Sequence, residues 1–467
     1  MDSLLSFGQR NFGTVNVGDK RSNQRIVNLV DIMCRHPGGS LPDKLSQPED
    51  LRAFYRVVNR PQTTHAVLMR SHTDATRAQI AALDGGVVLI LHDATELDYT
   101  SKTTVRDALG QIGQGTRRGY ICHNSLAVRA DTGETLGLTA QILHHRADCP
   151  EGETHKQSRE RANRESRLWL QGAELSGVAP ASVLCVDVSD SLSDTFEYLA
   201  YEIKNKRSFV LRAKENRKLA TPLEGEHYLF DAARKLAAQG ERTVKVLATT
   251  GRKARTATVQ VGFAKVRLSP PAKKLGEYAN EPLDVWVVRV WEPKPPAGEE
   301  PLEWMLLTNV AVETIADAQT RIHWYERRWI IEEYHKGMKT GCGIELMQFE
   351  KVERLEPAIA VLSAVTTTLL QLRDAARAPD ADTRLATEVV AAEYVEVLAD
   401  HFSKRIKGQP TVRSFYMHVA RLGGHQNRKC DGFPGWITLW RGWQKLQSMV
   451  DGYRAAQRKM KKSCGKT

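Results

Sequence analysis

The chain has 467 residues, of which 41% are hydrophobic and 26% are charged, with only 18 Pro and 33 Gly. These proportions exclude collagen-like and wholly disordered chains and leave a globular protein long enough for about two to four domains. Lys and Arg exceed Asp and Glu by 67 to 55, an excess typical of proteins that bind nucleic acid or an anionic membrane.

The basic excess lies near the end of the sequence. Residues 401–467 hold fifteen Lys or Arg but only two acids. The stretch 459–462 has almost no apolar face, so nucleic acid is favoured over a membrane, with a solubilising tail as the alternative. No apolar run approaches the roughly 18 residues of a membrane span, and the polar start argues against secretion. Seven scattered cysteines without a CxxC pair indicate reduced thiols and a cytoplasmic protein.

Three helices are predicted at the start of the chain. The first covers 19–35 with Asp19 as its cap, the second begins at Pro48, and the third runs to about residue 83. Lys20 and Arg21 lie at the start of the first helix. Short helices in this arrangement are typical of DNA-binding modules, and equally of structural bundles.

From residue 86 the pattern changes to that of a covered β-sheet. Apolar runs predict strands at 86–91, 125–128, 136–140 and 182–186, with a helix at 161–173 before the last of them. Residues 207–310 are dominated by strand patterns, and from 314 onward the chain is almost entirely helical. The succession predicts an α/β protein with helical termini.

Two of the predicted strands end in acids. Asp93 follows the first strand at its C-terminal end, and Asp187 or Asp190 follows the fourth. Strand-end acids often face a ligand crevice, although they also serve as turn formers. Two carboxylates from neighbouring strands suit Mg²⁺, which prefers oxygen ligands.

The segment 324–339 supplies a third acid. On an ideal helix Tyr325, Arg328, Glu332 and Lys339 fall on one narrow face, opposite an apolar stripe. The row is either a salt-bridged surface or a metal ligand flanked by phosphate-binding cations. A separate zinc site would need Cys122, His123, His144, His145 and Cys149 together, and their spacing fits no standard zinc module.

The spacing of these four residues is similar to the signature of the insertion-sequence-four family of bacterial Asp-Asp-Glu transposases. Further stretches also resemble that family, namely 18–21, 301–308, 420–424 and 439–443. The resemblance implies a ribonuclease-H-like (retroviral-integrase-like) α/β core interrupted by a β-rich insertion at about 205–310. It divides the chain into a helical DNA-end recognition domain (1–75), the core (76–370) and a helical basic C-terminal domain (371–467).

The resemblance also implies the catalytic set, which is Asp93, Asp190 and Glu332 binding two Mg²⁺ ions, with Mn²⁺ as a substitute. Asp187 remains the rival of Asp190, because it lies deeper in its strand and because Ser191 stands where the family usually has a basic residue. The residues implied to contact DNA are Tyr325, Arg328, Lys339, Trp304, Trp329, Arg212, Lys336, Lys20 and Arg21.

The implied activity is cut-and-paste transposition. A homodimer would bind the inverted repeats at the ends of double-stranded transposon DNA, cut them through hairpins and join the 3′ ends to target DNA by two-metal phosphoryl transfer, with no membrane partner. Two alternatives stay open: a non-catalytic DNA-binding regulator of transposition, and a structural nuclease on the same fold.

Overall fold

The computed structural model describes residues 6–146, 152, 154, 157, 163–246, 254–272, 280–402, 409–428 and 431–464. Its first part is helical, with helices at Phe7–Phe12, Lys20–Arg35, Leu41–Lys44, Pro48–Val58 and His65–Ala81. The predicted cap is confirmed, because the Asp19 carboxylate accepts hydrogen bonds from the backbone N–H groups of Arg21 and Ser22. The second predicted helix begins at Pro48, where the fixed φ of proline suits a first helical position.

The centre of the described chain is one mixed sheet of twelve strands. The strands are β1 (Val87–Asp98), β2 (Gly110–Gln111), β3 (Arg118–Arg129), β4 (Thr135–His144), β5 (Leu184–Ser189), β6 (Ser208–Arg212), β7 (Lys218–Leu223), β8 (Glu226–Tyr228), β9 (Gly240–Val246), β10 (Arg255–Leu268), β11 (Leu283–Trp291) and β12 (Glu303–Thr308). Their order is β2-β3-β1-β5-β6-β12-β11-β10-β7-β8, with β4 beside β3 and β9 beside β10.

Two kinds of pairing meet at β1. It pairs antiparallel with β3 on one side and parallel with β5 on the other, and β5 pairs parallel with β6. Strands β7 to β11 continue the same sheet beyond β12, which is antiparallel to β6. The chain therefore leaves β6 and returns on β12 at neighbouring positions, where Arg212 pairs with Leu306 and the Ala213 N–H donates to the Met305 carbonyl at 2.7 Å.

Helices cover the sheet and form the last part of the chain. They lie at Thr103–Arg106, Leu168–Ser176, Phe196–Lys204, Leu229–Lys235, Ile315–Glu326, Trp329–Lys336, Val352–Arg377, Ala392–His401, Val412–Leu422 and Trp436–Cys464. The helix predicted at 161–173 begins later, at Leu168, after a short 3₁₀ turn; its positions 161–162 lie outside the described residues. One helix in the strand-rich segment, Leu229–Lys235, agrees with the prediction of few helices there.

The helix Val352–Arg377 departs from the prediction that no apolar run approaches the length of a membrane span. By length and composition alone it is long and apolar enough to cross a membrane. However, 78% of its apolar window is buried inside the protein, where it packs against the N-terminal helices and the helix Trp329–Lys336. Its composition is that of a central core helix, which is apolar on all sides because protein surrounds it.

The proposed domain boundaries both fall inside helices. Residue 75 lies within His65–Ala81, and residue 370 lies within Val352–Arg377. The C-terminal helices nevertheless have a hydrophobic cluster of their own, built around Tyr394, Phe415 and Leu446. The three-part division stays a prediction, with continuous helices linking the parts.

Candidate active site

The first two predicted acids are neighbours at the point where the parallel pairing of β1 and β5 stops. The last paired residues are His92 and Ser189, and Asp93 and Asp190 each follow by one position. The prediction that the strand ends at Asp93 is wrong, because β1 continues to Asp98 along β3. The strand that ends there is β5, so Asp93 has no β5 residue paired beside it. Asp190, the first residue after β5, lies near enough for its charge to act on Asp93.

Asp190 begins the short 3₁₀ turn that follows β5. Its Oδ1 accepts the backbone N–H of Leu192 at 3.0 Å, and its side chain is half-buried. Burial raises the pKa of Asp190, against the opposing effects of that N–H and of the charges of Arg328, Lys214 and Arg212.

Asp194, four residues later, serves the surrounding loop. Its buried carboxylate accepts the backbone N–H groups of Lys214 and Glu215 at 2.7 and 2.8 Å and an Arg217 bond at 2.7 Å. It therefore fixes the loop after β6, where Lys214 lies two residues beyond Arg212. Lys214 was not predicted as a site residue, although its alternation with Arg212 at a strand end was a usable signal.

The pKa of the Asp93 carboxyl is raised far above its ordinary value. Its side chain is 15% exposed, and burial together with the negative charge of Asp190 raises its pKa to about 7. The cation of Arg328 and the N–H of Ala94, which donates at 2.8 Å, act in the opposite direction. A carboxyl with such a pKa beside a second carboxyl is a place where positive charge binds favourably.

The third acid arrives on the helix Trp329–Lys336. The Arg328 guanidinium donates from one nitrogen to Glu332 at 2.6 Å and from the other to Asp93 at 3.3 Å. The Glu332 side chain is 35% exposed, more than that of Asp93. The Arg328 guanidinium thus links Asp93 to Glu332, and its charge also acts on Asp190.

The segment 324–339 is not the single helix that the ideal projection assumed. The chain turns at 327–328 between Ile315–Glu326 and Trp329–Lys336, and it widens into a π turn at Gly337–Gly341. Tyr325 lies within reach of the charges of Arg328 and Arg212. Burial raises the pKa of its hydroxyl, and these two charges act in the opposite direction.

Lys339 lies on that π turn, which departs from the ideal helix used for the projection. Its Nζ is 3.8 Å from the carboxylate of Glu345, which also accepts the backbone N–H of Asp98. The extra residue of a π turn rotates everything after it. Lys339 is therefore beside the far end of β1, five positions beyond Asp93.

The remaining predicted DNA contacts divide into two groups. Trp329 is 62% exposed, with the Arg328 guanidinium carbon 5.5 Å from its ring centre, and Arg212 is exposed at the end of β6. Trp304 is half-buried on β12, opposite Val290. The second group consists of exposed cations. Lys336 is the last residue of the helix Trp329–Lys336, and Lys20 and Arg21 are the first two residues of the helix Lys20–Arg35.

Asp187, the rival second acid, belongs to a closed interior cluster. It is 1% exposed, bonds His92 at 2.7 Å, and receives two bonds from Arg207 at 2.9 and 3.0 Å. Although burial acts to raise it, Arg207 and His92 hold the pKa of Asp187 below its ordinary value. Glu202 adds a second carboxylate 3.5 Å from the same arginine. Within the described residues, the geometry favours Asp190 as the acid that faces Asp93.

The donor chemistry of the three acids fits Mg²⁺, since all the donors are carboxylate oxygens. A cation would also offset the repulsion that raises the pKa of Asp93. Nevertheless, no three His, Cys, Asp or Glu side chains of the described chain stand ready to hold a metal ion, because the Arg328 guanidinium lies between Asp93 and Glu332. Cys149, a member of the zinc alternative, lies outside the described residues, so that alternative stays a prediction.

Two family models match this chain. One, described as transposase DNA-binding, matches residues 6–63. The other, described as transposase DDE domain, matches residues 88–367, which is more than half of the chain. The first match ends before the helix His65–Ala81, and the second spans the sheet and all three acids.

Proposed function

The chain belongs to the transposase DDE family and is a DNA transposase with a DNA-binding region, and we propose that it moves DNA by cut-and-paste transposition. In this reaction it cuts both strands at the transposon ends, through a hairpin, and joins the 3′ ends to target DNA. The observation that carries the proposal is the convergence of Asp93, Asp190 and Glu332 around Arg328, beside an exposed tryptophan.

The acids are assigned the metal. Asp93, Asp190 and Glu332 would hold two Mg²⁺ ions, which Mn²⁺ can replace. Bound there, the ions lower the pKa of an attacking water or 3′-hydroxyl and stabilise the departing oxygen. The divalent metal is a general property of the family, and the all-oxygen donor set supports magnesium.

The cations and aromatic rings are assigned the DNA. Arg328 exchanges its carboxylate partners for a phosphate, which its planar guanidinium grips through two parallel N–H bonds. Tyr325 and Arg212 orient the same strand, and Lys339 and Lys336 neutralise phosphates farther along. Trp329 stacks on a base displaced from the duplex, with Trp304 supporting it, because a base can stack on any exposed aromatic face.

The rest of the molecule is assigned to the DNA ends and to assembly. Lys20 and Arg21 contact the backbone of the terminal repeat from the matched DNA-binding region, and the basic C-terminal helices pair two subunits of a homodimer. We assign the fold to the ribonuclease-H-like class within the insertion-sequence-four group, and the protein to the bacterial cytoplasm. Three antiparallel strands followed by two parallel ones, with the acids at their junction, support that fold.

The test is cleavage of a plasmid that carries the gene for this chain with its flanking DNA, in Mg²⁺ or Mn²⁺. Wild type should excise the segment and join it to a second plasmid, while Glu332→Gln should bind the flanks and leave them whole. Glu326→Gln is the matched control, because this acid ends the preceding helix and pairs with Arg242 outside the site.

Each alternative has its own outcome in this assay. A regulator of transposition would bind the flanks and leave every strand intact, even as wild type. A nuclease without transfer activity would cut but give no joined product. Equal cutting by wild type and Glu332→Gln would overturn the assignment of the third acid.

A further inference from the structure

A line of hydrogen bonds connects the N-terminal helices to the helix Trp329–Lys336, which carries Glu332 and is called the glutamate helix. His65 Nε2 bonds Gln141 Oε1 at 3.0 Å, Gln141 Nε2 donates to Asn124 Oδ1 at 2.7 Å, and Asn124 Nδ2 donates to His335 Nε2 at 3.1 Å. Gln141, Asn124 and His335 are all less than 8% exposed. Three buried polar side chains in series are costly unless every bond is made, so their arrangement is tightly specified.

The last two members of this line, Asn124 and His335, are structural neighbours of the acids. Asn124 on β3 is the cross-strand partner of Asp93 on β1. His335 is three residues after Glu332, which is nearly one turn of the same helix. The bond between Asn124 and His335 therefore joins the strand neighbour of the first acid to the helix that carries the third.

The acceptor role of His335 is fixed by its surroundings. An amide nitrogen can only donate, so the Nε2 atom of His335 must be unprotonated. Burial, followed by the charges of Lys339 and Arg328, lowers the pKa of His335 to about 3. The ring is therefore neutral, and it neither carries charge to the DNA nor exchanges protons with it.

The line is also braced from the long core helix. Gln141 Nε2 donates to Ser363 Oγ at 2.9 Å, and the hydroxyl of Tyr334, next to His335, donates to the Ser363 carbonyl at 2.9 Å. The glutamate helix is thus tied both to the sheet and to the helix Val352–Arg377. Of these ties, the bond to Asn124 is the one made to the strand beside Asp93.

We propose that Asn124 and His335 are positioning residues for phosphoryl transfer, setting the separation of Asp93 and Glu332, with Gln141 orienting the Asn124 amide. The proposal rests on the function proposed above. A hydrogen bond of this kind, one step behind the groups that hold a metal, fixes the direction of a ligand without touching the substrate. Losing it leaves Glu332 on a helix that can shift against the sheet.

The test compares His335→Leu with His335→Gln in the plasmid-cleavage assay. His335→Leu removes the acceptor and should lower the cleavage rate about 10–100-fold, with unchanged affinity for the flanking DNA and a higher Mn²⁺ concentration at half-maximal rate. His335→Gln offers Asn124 an oxygen acceptor and should restore most of the rate. Asn124→Leu should match His335→Leu, and the double variant should be no slower than either one.

Ser176→Ala is the matched control, because it removes a buried hydroxyl bond of 2.8 Å to Thr139 on β4 and involves no member of the line. It should cut at nearly the wild-type rate with an unchanged Mn²⁺ requirement. If His335→Leu gives no soluble protein, Asn124→Ser, which leaves the imidazole unpaired, is judged by the same criterion.

Two results would overturn the inference. One is a folded His335→Leu protein that cuts at the wild-type rate and Mn²⁺ concentration. The other is a His335→Gln variant as slow as His335→Leu. Either result would leave the proposed function standing as long as wild type cuts and Glu332→Gln does not. A wild type that cuts nothing would refute the proposed function itself.

Discussion

Asp187 and Asp190 lie three residues apart at the end of β5, yet they belong to opposite kinds of environment. Asp187 is sealed in the interior, with two bonds from Arg207 and one to His92. Asp190 has one backbone N–H partner and lies near Asp93, just after the end of β5. Arg207 neutralises the first carboxylate through two direct bonds, whereas Arg328, Lys214 and Arg212 act on the second through their charges alone.

The difference explains why neither burial nor position in a strand identifies a catalytic acid. A carboxylate whose lone pairs are filled by permanent partners stabilises the fold and has no capacity for a ligand. A carboxylate next to another one, whose lone pairs are not filled by bonded cations, keeps a repulsion that an added cation relieves. The number of bonded partners therefore distinguishes the structural acid, Asp187, from Asp190, which can still bind a ligand.

The largest effect is expected for stability when Asp187 is changed. Asp187→Asn removes the carboxylate that bonds both Arg207 and His92, leaving Arg207 only the longer contact to Glu202, and should lower the free energy of unfolding by about 3–5 kcal/mol, measured by urea denaturation. Asp190→Asn is the comparison and should change it by less than about 1 kcal/mol. Equal losses would remove the distinction between the two sites.

Asp190→Asn should reverse that order when activity is measured. The amide cannot hold a divalent cation as a carboxylate does, and the cleavage rate should fall about 10²–10³-fold, as when a group that stabilises transition-state charge is lost. The assay is plasmid cleavage per folded molecule, with Asp187→Asn assayed below its unfolding temperature. Faster cutting by Asp190→Asn than by Asp187→Asn would reinstate Asp187 as the second acid.

The raised pKa of Asp93 gives the metal-free protein a pH signature. The folded carboxyl keeps its proton up to about pH 7, while the unfolded one releases it near 3.8. Stability from this proton is complete below about pH 4 and is lost as the pH rises through about 7. The loss is on the order of 4 kcal/mol, since each pKa unit corresponds to about 1.4 kcal/mol. Asp93→Asn should remove this slope.

The measurement is the pH dependence of urea denaturation in a chelating buffer. Wild type and Asp93→Asn should be equally stable near pH 4, and the variant should be more stable near pH 8. Parallel curves for the two proteins would mean that Asp93 does not carry the repulsion inferred from its position.

The smallest effect is expected at the edge of the site. Trp329→Ala should weaken the step that displaces a base by about 1 kcal/mol, at the lower end of the ~1–3 kcal/mol for base stacking, because the ring is largely exposed. Hairpin formation on a pre-nicked end measures it. Tyr228→Ala, an exposed aromatic residue at 47% on β8, is the control and should leave the rate unchanged.

Local signals in the sequence predicted much of this structure. The cap Asp19, the start at Pro48 and the apolar runs of β1 and β5 depend on neighbouring residues alone, and each was confirmed. The extension of β1 to Asp98 was missed because it depends on β3, a partner about thirty residues away in the sequence.

The site shows the same division between local and distant causes. The spacing of Tyr325, Arg328 and Glu332 brought the right residue types to attention. The turn at 327–328 and the π turn that displaces Lys339 arise from packing around the segment, which an ideal helix cannot represent. The two partners of Asp187, His92 on β1 and Arg207 just before β6, are distant from it in the sequence, so its sealed state had no local signature.

The neighbouring exit and return of the chain at β6 and β12 bear on how this protein is built. Arg212 and Leu306 are already bonded across the sheet, so the ends of the intervening 93 positions meet at the width of a hairpin. A two-residue turn would close the same gap. The pairing of β6 with β12 thus allows the connection between them to be redesigned at another length while the backbone of these two strands keeps its register.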